Sequence, residues 1–441
     1  MTASPRRVAL SLLAAVVLAA TLTGCQNARA GTKCRTNQFA QDATHVLKCE
    51  KGRWRRGATK AQVATLFIAI LKARTTTTTA PAPPPDPNRV VQVGSGNSFA
   101  CARRANGAVL CWGRNDVGQL GNGTTTASNV PVAVSGVTTA TELSVGESHA
   151  CVVIGTGSVS CWGLNGDGQL GNASTTNSLT PVPVTSVSGA TSVGTGIGHS
   201  CAVTGGAVKC WGLNASGQLG NNTTTSSTTP VSVSTITTAT SVSARTSHTC
   251  AVLADQTVRC WGNNGTGQLG DGTTTQSNIP VAVTGLATVL EVSAGQTFTC
   301  ATPTAGGASC WGNNNFGMLG NGNMTNSPAP VTVQGVGGVG SLATVTSISS
   351  GTDSVCAVTG GSGACWGLGL NGRLGTGATT DALSPAAVSG LSGAVDITAG
   401  WLNGCAALTS GGVRCWGDNT NGQLGNGTNT ASNVPVPVSG L

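Results

Sequence analysis

The chain has 441 residues, of which 65 are Gly, none is Tyr and only 8% are charged. Gly, Ser, Thr, Asn and Val make strands and tight turns, so the composition excludes a helical bundle, a coiled coil and an ordinary α/β enzyme. The formal net charge of +8 sits in residues 1–88, with 13 Lys and Arg against 3 acids; residues 89–441 hold 9 against 11, which excludes a nucleic-acid-binding body with a basic stripe.

Arg6 and Arg7 precede an apolar run from Val8 to Leu22 that is too short for a comfortable membrane span. It ends in Leu22-Thr23-Gly24-Cys25. Basic start, apolar run and small-residue end together resemble a bacterial lipobox. That resemblance implies a signal peptide over 1–24 and a diacylglycerol on the Cys25 thiol, which holds the protein on a membrane outside the cytoplasm. An ordinary secretory signal with an incidental Cys is the alternative. The cysteine count of 17 favours the lipid, because 16 then remain to pair in an oxidising compartment.

Residues 25–74 read as a small basic module. Cys34 and Cys49 close a short loop, and Arg53-Trp54-Arg55-Arg56 forms a basic, aromatic patch. Ala61, Ala64, Leu66, Phe67, Ile70 and Leu71 recur at three- and four-residue spacing, which predicts a short amphipathic helix. The patch has two readings, contact with anionic lipid headgroups or wall polymers, or a solvated face. A Thr/Pro-rich linker over 75–88 follows, extended and semi-rigid.

Residues 89–441 repeat about every fifty residues. Cys101, Cys151, Cys201, Cys250, Cys300, Cys356 and Cys405 open the units. Each is followed by a Cys-Trp-Gly, at Cys111, Cys161, Cys210, Cys260, Cys310, Cys365 and Cys415. A Gly-Gln-Leu-Gly-like turn, a Thr/Asn-rich loop and a Pro-Val-x-Val strand complete each unit. Short strands and Gly turns at this period predict propeller blades packed side by side.

The Cys spacing fits a hairpin. Pairs nine apart centre on Gly205-Gly206 and Gly360-Gly361, which suit a primed two-residue turn. Pairs ten apart centre on three-residue loops whose last position wants a left-handed residue; Gly107, Gly157, Gly306 and Gly411 comply and Gln256 does not. One disulfide per blade follows, and the even dispersal of the Cys argues against metal ligation. The Trp beside each second Cys points to the opposite sheet face and is expected to wedge between blades. Val90-Val91-Gln92-Val93 and Val436-Pro437-Val438 are expected to meet and close the ring, leaving no open sheet edge.

Gly146-x-x-His149-x-Cys151, then Val159-x-Cys161-Trp162-Gly163-x-Asn165-x-x-Gly168-Gln169-Leu170-Gly171 and Pro181-Val182, resembles the regulator-of-chromosome-condensation repeat. The resemblance covers 89–441 and implies an all-β, seven-bladed propeller. This chain adds the Cys pair, and Met318, Arg373 and Gly369 depart from the pattern. His149, His199 and His248 recur at one repeat position, which marks them as structural; Asp116, Asp167 and Asp418 sit in loops, and Glu142 and Glu291 in strands, with no carboxylate pair apparent. No catalytic residue, metal site or cofactor is expected.

The reading is therefore a monomeric, membrane-tethered scaffold that binds an unknown envelope or extracellular protein, without nucleic acid. The candidate partner-binding residues are Gly335, Val336 and Ser341 of the insertion 335–341, Asn315 and Phe316, and Leu368 and Leu370. Secreted bacterial relatives that inhibit a beta-lactamase by protein contact point the same way. The alternatives are nucleotide exchange on a small GTPase, as in eukaryotic relatives, and an envelope enzyme acting on wall glycans or peptides.

Overall fold

The computed structural model describes residues 39–41, 45–51, 53–59 and 86–441 apart from 287. The signal segment, Cys25, Cys34, the helix expected over 61–71 and the linker up to residue 85 lie outside the described residues. The chain divides into two compact units, 1–85 and 86–441.

The first unit contains strands β1 (Phe39–Gln41), β2 (His45–Glu50) and β3 (Arg53–Thr59), an antiparallel sheet in that order. Leu47 and Cys49 are buried, and Cys49 is in a disulfide. Opposite them, β3 carries Arg53, Arg55 and Arg56 exposed and Trp54 half-buried, so the basic patch lies along one strand.

The second unit is a ring of seven four-stranded antiparallel sheets, each made from four consecutive strands. In blade 1 these are β4 (Val90–Ser95), β5 (Phe99–Arg104), β6 (Val109–Gly113) and β7 (Ser128–Ala133), running from the axis to the rim. The later blades repeat the pattern, with innermost strands Ala140–Val145, Ala190–Thr195, Ala239–Ala244, Val289–Ala294, Val345–Ser350 and Ala394–Ala399. Among the described residues no helix is long and apolar enough to cross a membrane.

The second strand of a blade is covered on both faces and is built from small residues, such as Ala150 and Val152. Opposite it comes the Cys-Trp-Gly strand. Its Cys pairs within the blade, as Cys151 with Cys161 and Cys201 with Cys210, and the same hairpin disulfide occurs in all seven blades. Its Trp enters the core of the preceding blade: Trp162 packs with Cys101, Cys111 and Leu120. Its Gly is required by the backbone. Gly163 has φ +100° and a Cβ there would meet the Ser148 carbonyl at 2.5 Å. Gln256, the exception in the turn pattern, takes the left-handed conformation regardless, at φ 65°.

The ring closes by packing. Val90, Val93 and Trp112 share one core with Cys405, Cys415, Leu424 and Val438, and Val436 packs against it. The two terminal segments therefore meet as expected, but they share no sheet, because blades 1 and 7 each keep their own four strands. The expectation of no open edge is corrected accordingly: the outermost strands are half-exposed edge strands at the rim. Each carries a proline, among them Pro131, Pro181, Pro230 and Pro435, and a residue without an N–H blunts an exposed edge.

Candidate functional site

Nine residues before the first Cys of each unit stands a polar residue: Gln92, Glu142, Ser192, Ser241, Glu291, Ser347 and Asp396. All lie on innermost strands and line an axial cavity of about 250 Å³. An innermost strand is a sheet edge whose outward N–H groups need acceptors. These side chains supply them across the seams. The Gln92 Oε1 accepts the Leu143 N–H at 3.0 Å, Glu142 accepts Val193 at 3.1 Å, Ser192 accepts Val242 at 3.3 Å, Glu291 accepts Ile348 at 3.3 Å, and Asp396 accepts Val93 at 2.8 Å across the closing seam.

Two residues further along each strand, hydroxyls repeat the device. Ser144, Ser243, Ser293, Ser349 and Thr398 accept the N–H groups of Thr195, Ala294, Ser350, Ala399 and Ser95. Gly94 and Gly194 occupy the other two positions, where the neighbouring blade comes too close for a side chain; a Cβ on Gly94 would meet Val145 at 2.6 Å.

Of the acids read as scattered in the sequence, Glu142 and Glu291 are thus brought to one axis together with Asp396, while Asp116, Asp167 and Asp418 do not line it. Burial pushes Glu142 up to about 7. Burial, with the nearby Asp396 charge, pushes Glu291 up to about 8, and burial also raises Asp396. Arg103 faces Glu142 and Asp396 and donates to Gln92 Oε1 at 2.9 Å; burial lowers it. The sequence signal for this set is the repeat offset from Cys, visible only when polarity rather than residue identity is compared.

The three recurring histidines are fully buried. Their Nε2 atoms lie 2.8–2.9 Å from Ser200, Thr249 and Thr299 of the next blade. Those hydroxyls donate to the carbonyls of Gln169, Gln218 and Gln268, so each His donates from Nε2 and is held neutral. Burial pushes His149 and His199 down to about 3 and His248 to about 4. They tie adjacent blades together.

At the rim, the insertion holds a short 3₁₀ turn, Val336–Gly338, closed by Gly335 N to Gly340 O at 3.0 Å. It packs beside the outermost strand of blade 6, Ala382–Ser392. The same strand takes the neighbouring loop of blade 5: Gly322 donates to the Leu383 carbonyl, and Gly317 abuts Leu383. Val336, Ser341, Asn315 and Phe316 are therefore grouped at one seam, exposed, while Gly335 is buried. Leu370, exposed, and Leu368, half-buried, belong to the loop at the next seam, where Gly372 abuts Asn433.

The family model described as the regulator of chromosome condensation (RCC1) repeat matches residues 106–153, 156–203, 206–252, 257–302, 306–358 and 410–441. A second model of the same repeat matches 90–119, 140–169, 239–268 and 394–423. The chain belongs to the RCC1 repeat family. Human WBSCR16 is similar in structure, with TM-score 0.62 and 23% identity over 71% of this chain and 85% of that one. Prp20p of Saccharomyces cerevisiae, described with its binding to Gsp1p and histones, gives TM-score 0.64 and 18% identity over 80% and 88%. These likenesses show the fold. No curated protein matches.

The RCC1 signature acts mainly through its backbone here. The indole N–H of Trp162 donates to the Gln119 carbonyl at 3.0 Å, and that of Trp211 to Gln169 at 2.8 Å. Trp366 and Trp416 make the same bond to Met318 and Arg373, so a main-chain acceptor explains why the Gln side chain is replaceable. The repeat Asn organises the following loop: Asn165 Nδ2 donates to the carbonyls of Ser174 and Thr176, and its Oδ1 accepts the Leu170 N–H. Gly369 stands there in blade 6 because the Thr380 carbonyl fills the space, 1.9 Å from where a Cβ would sit.

Proposed function

We propose that this RCC1-repeat protein is a membrane-tethered, extracytoplasmic scaffold that binds a protein partner at the seam between blades 5 and 6. The observation that carries the reading is the apolar surface at that seam. Of ten exposed large apolar side chains among the described residues, Phe316, Met324, Val336 and Val339 all lie within residues 316–339, and Val339 is 80% exposed. A concentration of exposed apolar side chains on a rigid body suits a protein interface. The insertion supplies two of them. RCC1-repeat propellers serve typically as binding or regulatory scaffolds, and the acids and histidines of this ring already serve as ties between blades. Fourteen Cys in buried hairpin disulfides support an oxidising compartment, and the Cys25 lipobox supports the tether.

The test places a photo-reactive residue at Val339 of the full chain on intact cells, with the same probe at Val130 on the outermost strand of blade 1. A protein crosslinked from position 339, absent from position 130 and lost when Phe316→Asp is added, is expected. The same species from both positions, or none from 339, rejects the site. Nucleotide release from a small GTPase, or turnover of a wall polymer, caused by the purified protein replaces this reading.

A further inference from the structure

Five residues before the first Cys of each unit, the innermost strand is followed by Gly96, Gly146, Gly196, Gly295, Gly351 and Gly400, but in blade 4 by Arg245. These positions form a collar at one end of the axial cavity. Backbone bonds cross the seams there: Asn97 N to Glu147 O, Glu147 N to Gly196 O, Gln296 N to Gly351 O, Thr352 N to Gly400 O and Trp401 N to Gly96 O. The two bonds missing from the set are those of Ile197 and Thr246, which flank Arg245. The backbone there stays as close as at the other seams, the Arg245 carbonyl lying 2.5 Å from where a Cβ on Gly196 would sit, so Arg245 differs from the glycines by its side chain.

Arg245 lines the cavity, half-buried, and its guanidinium makes no hydrogen bond or ion pair among the described residues; the charge it feels is that of Glu147. The hydroxyl ring is adjacent. Ser243, Ser293, Ser349 and Thr398 each spend the oxygen on accepting a backbone N–H, and among the described residues no acceptor takes the hydroxyl proton. This end of the cavity is therefore rich in donors. The carboxylates of Glu142, Glu291 and Asp396 lie deeper and are turned to backbone N–H groups, whereas Glu147 stands on the collar, takes the Asn97 side-chain amide at 3.4 Å and makes no ion pair with Arg245.

We infer that the Arg245 end of the axial cavity is a binding site for a small oxyanion, phosphate or carboxylate. The guanidinium supplies the charge and the planar donor fork that such groups match, and the serine and threonine hydroxyls supply further donors in a fixed ring. Nothing in the binding reading for the rim depends on this site.

Calorimetric titration of the full chain with inorganic phosphate, at ionic strength held constant with chloride, tests it. Saturable one-to-one binding is expected. Arg245→Gly, which copies the residue of the other six blades and so keeps the fold, weakens it about tenfold or more, the scale of a lost charge-assisted hydrogen bond. Arg114→Ala, which removes one positive charge at the surface, leaves it unchanged. Acetate competing for the site assigns carboxylates as ligands too, whereas phosphate binding untouched by acetate restricts the site to phosphate. No saturable binding, equal affinity in Arg245→Gly, or equal weakening in Arg114→Ala overturns the inference.

Discussion

A single indole bond explains much of what varies between repeats. The carbonyl of Gln169 takes both the Trp211 indole and the Ser200 hydroxyl, while the Gln169 side chain accepts one N–H, from Asp167, and leaves its own buried Nε2 unpartnered. The backbone of Gln169 thus matters more than its amide. Trp211→Phe removes one of the two donors to that carbonyl and opens a void between blades, so a loss of about 2–4 kcal/mol is expected. Gln169→Met removes an unsatisfied donor and copies Met318 of blade 5, so it stays within about 1 kcal/mol. Denaturant midpoints at unchanged slope measure both; equal losses contradict the assignment.

The hairpin is the element in which sequence and structure agree most closely, because every rule that builds it is local. Cys201 pairs with Cys210 across a turn whose Gly205 and Gly206 have φ 56° and 83°, as a primed turn demands. Replacing both Cys201 and Cys210 by Ala is expected to lower stability by about 2–3 kcal/mol, the chain-entropy contribution of a loop of about ten residues. Among the seven Cys-hairpin turns, Gln256 is the one non-glycine held at positive φ, so Gln256→Gly should raise stability by about 0.5–1 kcal/mol. Thermal unfolding of the two variants checks both signs. Less local features are harder to read. The inner strands offer acceptors as Gln, Glu, Ser or Asp, since any of them can take an N–H, and residues doing one job share no motif. The collar shows the same limit. Arg245 looks like an arbitrary substitution until six glycines at the same offset reveal what it replaces.

For the whole ring, the axial acids and the buried histidines make opposite demands on pH. His149, His199 and His248 titrate near 3–4 in the fold against 6.5 when unfolded. Below pH 6.5 the unfolded chain therefore binds protons that the fold refuses, so this contribution is complete above 6.5 and is lost as pH falls toward 4. Glu142 and Glu291 titrate near 7 and 8 in the fold against 4.5 unfolded, and Asp396 is shifted in the same direction. Above pH 4.5 the fold keeps protons that the unfolded chain releases, so their contribution is complete at low pH and is lost as pH rises through 7 and 8. Each proton of difference gives a slope of about 1.4 kcal/mol per pH unit. Between 4.5 and 6.5 the two sets nearly cancel. Above 6.5 only the acids still titrate in this range, and stability falls. The melting temperature should therefore peak at mildly acidic pH and decline toward pH 8. Glu291→Gln should flatten the alkaline decline. His199→Phe, which copies Phe99 and Phe298 at the same repeat position and keeps the Gly196 space, should flatten the acid decline. A melting temperature that climbs steadily to pH 8 would show that the axial carboxylates are ionised in the fold and that the seams are held by charge instead.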